Sequence, residues 1–204
     1  MKNDVTHTLY EYWNNLRGRR PAPMRNEIEP SDIRKILGDT FILEAVDPLT
    51  YNFRLAGTRM CSAYCRELKG RNFLAPWNDK DREALATLMA AITEDAAAAV
   101  VGMDGVTERG QSLAVEMLLL PLAQSSTNYG RILGSFVAMD NPYWIGIHPI
   151  RHQQISSMRL IWPDERPHFM ASDDFDTDVV FQEAAVGHHS KRIGHLTVYD
   201  GGKN

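Results

Sequence analysis

Three apolar runs follow one another between residues 98 and 140: AAVVGMDGV, SLAVEMLLLPLA and GRILGSFVAMD. Only short turns rich in glycine, serine and asparagine separate them. Parallel strands need a crossover of a dozen or more residues, usually a helix, so strands joined this tightly have to pair antiparallel. Two earlier runs, TFILEAV (40–46) and YNFRLAG (51–57), flank the turn-forming DPLT and read as a hairpin. Between hairpin and triplet stands a helical block. TRMCSAYCREL is closed by Lys69 and Gly70, and NDKDREALATLMAAITEDA (78–96) has a polar cap, acids in its first turn and one stripe of Leu85, Leu88, Met89 and Ile92. Two strands, a block of helices and three strands make an α+β domain.

The N-terminal part carries Leu9, Trp13 and Leu16 at helical spacing, which predicts an amphipathic helix over 6–17. Pro21 and Pro23 end it, since proline lacks the amide hydrogen and restricts its predecessor. A second short helix is expected from Pro30 to Leu37, stopped by Gly38. Between them Arg17, Arg19, Arg20 and Arg25 form a cationic collar. Asp4, Glu11, Glu27, Glu29, Asp32 and Asp39 flank it, and the whole chain of 204 residues carries a net charge of −4. Phosphate-backbone binders need a broader positive excess, so no nucleic-acid partner is expected; the arginines are expected on carboxylates or helix C-terminal carbonyls.

The start of the chain lacks the apolar core and cleavage site of a secretory signal, and no apolar run is long enough to cross a bilayer. Two cysteines four residues apart make no disulfide framework. A cytoplasmic location without membrane contact is the expectation. Beyond Asp140 the pattern weakens: QISSMRLIW reads as one more strand or a short helix, and the aspartate-rich 164–183 as a solvated, partly disordered segment.

The residues themselves resemble a known family. YWNNLRGRRPAPMRNEIEPSDIRKILGDTFILEAV, YNFRLAGTRMCSAYCRELKGRNFLAPW, EMLLLPL and RILGSF are together similar to the bacterial PAS_5 family (formerly DUF1457), over about residues 9 to 140. The resemblance implies a PAS-like five-stranded antiparallel sheet with a helical block on one face and the N-terminal helix on the other. It also implies a small regulatory protein. Residues 1–40 are then helix and linker, 41–140 the PAS-like core, and 141–204 a C-terminal extension.

Catalytic signatures are missing: no G-x-S-x-G, H-E-x-x-H, P-loop or G-x-G-x-x-G occurs. All seven histidines (His7, His148, His152, His168, His188, His189 and His195) lie outside 41–140, which leaves the core no imidazole base or haem ligand. Cys61 and Cys65 share a helix face and read as small hydrophobes packing under the sheet, with no further ligand for a zinc site. AYCRELKG departs from the Asn-Cys-Arg-Phe-Leu motif of flavin photosensors. No metal and no cofactor are expected.

Strand alternation places Phe41, Leu43, Tyr51, Phe53, Leu55, Val115, Met117 and Leu119 toward the helical block, where they either line a small-molecule pocket or fill a core. The opposite face presents Ile42, Val46, Leu118 and Leu120, too apolar to leave bare; the stripe Leu9, Trp13 and Leu16 covers it, from the same chain or a partner chain. The reading is a non-enzymatic sensory protein of signal transduction, homodimeric, acting on an unidentified signalling partner through a small-molecule ligand. The alternatives are an enzyme using the same pocket, for which only Glu116 and Asp140 offer acids, and a ligand-free dimeric docking scaffold.

Overall fold

The computed structural model describes residues 1–124 and 129–164, and the backbone of 190–193 and 196–199. The expected hairpin is β1 (Thr40–Asp47) with β2 (Thr50–Ala56), and the triplet is β3 (Ala98–Thr107), β4 (Ser112–Leu122) and β5 (Arg131–Ala138). All pairings are antiparallel, and β1 pairs with β5, so hairpin and triplet close into one sheet. The sheet has six strands where five were expected. The stretch left open as strand or helix is β6 (Ile150–Ile161), and the order is β2-β1-β5-β4-β3-β6. As an edge strand buried mainly at its ends, β6 is polar between them, which is why its sequence carries no strand period. β7 (Ser190–Ile193) and β8 (Leu196–Tyr199) form a separate hairpin.

β4 is buried on both faces from Val115 to Leu122, because each face of the sheet has its own cover. On one face α3 (Asp79–Asp95) and α2 (Thr58–Ala63) pack over Phe41, Leu43, Tyr51, Val101, Met117 and Leu119. Asn78 caps α3 by accepting from the Asp81 amide, and Leu85, Leu88, Met89 and Ile92 are the buried stripe, as expected. On the other face α1 (Asp4–Arg17) lays Leu9, Tyr10 and Trp13 on Leu118, Leu120 and Leu133. At about 1.5–3 kcal/mol for each fully buried large apolar side chain, this cover is what holds a fourteen-residue helix that would be marginal alone. The Trp13 Nε1–H donates to the Pro121 carbonyl at 2.8 Å. Pro121 still pairs with Ile132 of β5, but it is tolerated in β4 because β3 pairing has ended at Leu119, so no β3 carbonyl requires its missing amide hydrogen.

Both ends of α1 are tied down. Asn3 Oδ1 accepts from the Val5 amide, and the Glu116 carboxylate on β4 accepts from the Lys2 and Asn3 amides at 2.8 and 3.3 Å. At the far end Arg17 donates to Asn14 Oδ1 and to the carbonyls of Arg20 and Pro163, with its guanidinium 5.2 Å from the Trp13 ring centroid. Arg20 donates to the Leu16 and Arg17 carbonyls and pairs with Glu27. The Arg20 guanidinium and the Met24 amide, which bond the Glu27 carboxylate, hold it below the usual range. These two collar arginines therefore sit where expected, on helix-terminal carbonyls and a carboxylate.

The helix expected at 30–37 does not form. Successive turns run to Ile36 and end in a 3₁₀ turn, Leu37–Asp39. Bonds from the Asp32 amide to Glu29 and from the Ile36 amide to Ile33 span three residues, and that spacing puts Ile33 and Ile36 on the same side, both buried under α1.

Candidate functional site

A cavity of ≈ 270 Å³ opens where β2, the end of α2 and β6 meet the segment 64–77. That segment has no regular structure, yet it is sewn to the outer edge of β2. The Gly70 amide donates to the Phe53 carbonyl, the Phe53 amide to Arg71, and the Phe73 amide to Tyr51, at 2.7 to 2.9 Å. Gly70 makes the turn into this pairing at φ +80, a conformation costly for other residues. Asn72 fixes the register: its Oδ1 accepts from the Tyr51 and Leu74 amides and its Nδ2 donates to the Leu49 carbonyl. The segment thus covers one sheet edge that would otherwise offer unpaired amides.

Aromatic rings form the cavity floor. Phe53, Phe73 and Trp77 stand with neighbouring centroids 5.9 and 6.3 Å apart, and Phe41 lies behind them. Arg82 clamps the end of the segment by donating to the Trp77 and Leu74 carbonyls. The Trp77 Nε1–H, by contrast, is buried without an acceptor among the described residues, which costs about 1–3 kcal/mol.

The polar wall is built from two distant elements. The Tyr64 hydroxyl donates to Gln153 Oε1 on β6 at 2.6 Å. Burial pushes the Tyr64 phenol far above its ordinary value, so it stays a donor at all physiological pH. Gln153 is 6% exposed, and among the described residues its Nε2 has no acceptor. Arg66 and Arg71 are exposed and line the cavity, so they stand at its mouth. The Arg71 Nε donates to the Glu67 carbonyl, and neither guanidinium forms an ion pair among the described residues. Among the described residues no carboxylate lines the wall.

Of the eight residues expected to line a pocket, only Phe53 is on this wall. Phe41, Leu43, Tyr51, Val115, Met117 and Leu119 are packed in the helix-side core. Leu55 corrects the expectation: it is 44% exposed and pairs with Ile42, on the opposite face. The pairing jumps from Ile42–Leu55 to Leu43–Phe53, so Arg54 is an extra residue in β2, and a bulge of one residue exchanges the faces beyond it. Of the residues expected at the covered face, Leu9, Trp13 and Leu118 are buried, and Leu16 and Ile42 half-buried, where α1 of the same chain meets the sheet. Val46 is another correction. It lies in an irregularity between Ala45 and Asp47 at the hairpin end, beyond the reach of α1, and is 60% exposed.

Glu116 and Asp140 do not converge: the first holds the start of α1 on the outer face and the second is exposed. α2 ends at Ala63, so Cys65, at φ 48, has left the helix and is exposed rather than packed. Cys61 packs partly against the core, and neither thiol lines the cavity. His7 lies 3.3 Å from Glu11 and His152 faces outward on β6; His168, His188, His189 and His195 lie outside the residues whose side chains are described. Among the described residues no group of histidine, cysteine, aspartate and glutamate is placed to hold a metal ion, and no helix is long and apolar enough to cross a membrane.

The cavity residues were missed because 64–77 has no periodicity. The signals were a glycine followed by Asn72, and two aromatics, Phe73 and Trp77, where no strand or helix had been assigned to bury them.

A family model described as a PAS domain, PAS_5, matches residues 1–137. No curated protein matches the chain. Among solved structures, the chain is similar to the light-oxygen-voltage protein of Rhodobacter sphaeroides (15% identity, TM-score 0.42, covering 55% of this chain and 67% of that one). It is also similar to the light state of the blue-light photoreceptor Aureochrome1 LOV (16%, 0.41, 55% and 90%). A third likeness is to the PAS domain of an HTR-like protein from Haloarcula marismortui (18%, 0.38, 56% and 95%).

Proposed function

The chain belongs to the PAS_5 family of PAS domains, modules typical of sensory signal transduction, and from that premise we propose that occupancy of the cavity is passed along β6 to the docking of α1. The protein is on this reading a non-enzymatic cytoplasmic regulator. Residues 41–140 form the sensor core with β6 added to it, and 1–40 form the cap whose release or rearrangement reaches a signalling partner or a second copy.

One observation carries the reading. β6 brings Gln153 to the cavity wall, and at its other end Ile161 belongs to the cluster under α1 while the Pro163 carbonyl accepts from Arg17. A ligand that moves Gln153 therefore acts on a strand whose far end is part of the α1 seat. For the signal to be real, the ligand has to bind the two α1 arrangements with different affinity. Hydrogen exchange tests this without a ligand. Leu68→Trp puts a larger side chain into the cavity, and the expected result is a changed exchange rate across 4–17. Unchanged exchange there, with changed exchange at 64–77 proving the cavity filled, would overturn the coupling.

A further inference from the structure

Resting on the reading of the cavity as the sensory site, we propose that its ligand is a small aromatic carboxylate of one or two fused rings. The size limit comes first. At ≈ 270 Å³ the space lies just below the roughly 300–1,000 Å³ of sites for drug-sized molecules, so an extended cofactor does not fit it as it stands. The walls of Phe53, Phe73 and Trp77 favour a flat ring, which meets aromatic faces and edges at offset or T-shaped geometry.

The polar groups decide the charge. Asn72 has its oxygen and its nitrogen both engaged by backbone, and the Gln153 oxygen is taken by Tyr64. What remains unspent on the amide and guanidinium groups of the wall, among the described residues, is all donors: Gln153 Nε2 and the guanidiniums of Arg66 and Arg71. A neutral apolar ligand would leave the buried Gln153 Nε2 unmatched, and a cation would meet two arginines and no carboxylate among the described residues. An anion with in-plane oxygens satisfies them, and the guanidinium fork fits a carboxylate in two parallel bonds. The ring would enter first, with its carboxylate toward the mouth.

Calorimetric titration of the full chain with 2-naphthoate, its uncharged isostere 2-naphthamide, benzoate and inorganic phosphate tests this. At least one aromatic carboxylate should bind tenfold or more tighter than 2-naphthamide, while phosphate, an anion without a ring, should not bind. In the Arg66→Gln/Arg71→Gln variant that preference should fall to about threefold or less. Both residues are exposed, and Arg66→Gln alone, which breaks no ion pair, should already lower it. Equal binding of naphthoate and naphthamide, a preference unmoved by the substitutions, binding of phosphate alone, or no binding of either carboxylate at millimolar concentration would each overturn the assignment. None of these outcomes bears on the exchange test of the Leu68→Trp variant, which stands or falls without a ligand.

Discussion

The ring of Phe41 on β1 occupies the space a side chain would need on its paired neighbour, Gly134 on β5. A Cβ at Gly134 would lie 2.2 Å from Phe41 Cζ and 2.7 Å from the Leu118 carbonyl oxygen. The join between hairpin and triplet is therefore a large residue laid over an absent one. Gly134→Ala should cost about 1–3 kcal/mol in urea unfolding, as overpacked cores do. Adding Phe41→Leu should return part of that loss, because the two changes share one space. Strict additivity would show that the ring does not depend on the glycine.

Trp13 joins α1 to the outer face of the sheet by packing and by one bond. Trp13→Ala should destabilise by about 3–5 kcal/mol and raise dye binding by exposing Leu118, Leu120 and Leu133. Trp13→Phe keeps most of the area but strands the Pro121 carbonyl, so a loss of about 1–3 kcal/mol is expected. A phenylalanine variant as unstable as the alanine one would assign the whole effect to the hydrogen bond.

Asp39 gives a pH dependence of unusual sign. Burial raises its carboxyl above the ordinary carboxylate value, and the Arg59 guanidinium, which pairs with it, opposes that without cancelling it. The folded chain then holds a proton that the unfolded chain has released, so the Asp39 contribution falls as pH rises from the ordinary value through the raised one. Asp39→Asn should gain stability relative to the parent across that window. Arg59→Gln should widen the window and lose roughly 1–3 kcal/mol near neutrality, with little loss at acid pH where the carboxyl is protonated. Urea midpoints from about pH 3 to about pH 8 check both signs.

β6 is held at its own irregularity. Its pairing with β3 passes from Gly102–Ser157 to Met103–Ile155, so Ser156 is an extra residue, and Asp81 Oδ2 at the start of α3 accepts from the Ile155 amide at 3.1 Å. Asp81→Ala should leave that amide unpartnered, cost about 1–3 kcal/mol, and raise hydrogen exchange at Ile155 more than at the β3–β4 pairs. Uniformly raised exchange would mean that the carboxylate acts on global stability alone.

The succession of two strands, helical block and three strands, the long helix and the cover of the outer face were legible in the sequence, because Tyr51 and Phe53, or Leu85, Leu88 and Ile92, repeat with the period of their element. Leu55 was not, since nothing in YNFRLAG marks Arg54 as the residue that drops out of register. β6 was hidden by its place at an edge, where His152, Ser156 and Ser157 cost nothing. The cavity was hidden more deeply. Tyr64 and Gln153 are 89 residues apart, and their bond depends on both the bulge in β6 and the stitched path of 64–77.

The double burial of β4 bears on how such chains change length over time. Alternate residues of β4 belong to different cores, so deleting one residue from it would exchange the two sets and drive the Glu116 carboxylate in among the helix-side apolar residues. β2, with its edge sewn to a segment that can give way, has absorbed an added residue at Arg54 and turned only Leu55 outward. Length variation between related chains should accordingly gather in β2, the 64–77 segment and β6, the elements that enclose the cavity, and be absent from β4. The architecture leaves the cavity end free to be resized while the strand shared by both cores keeps its count.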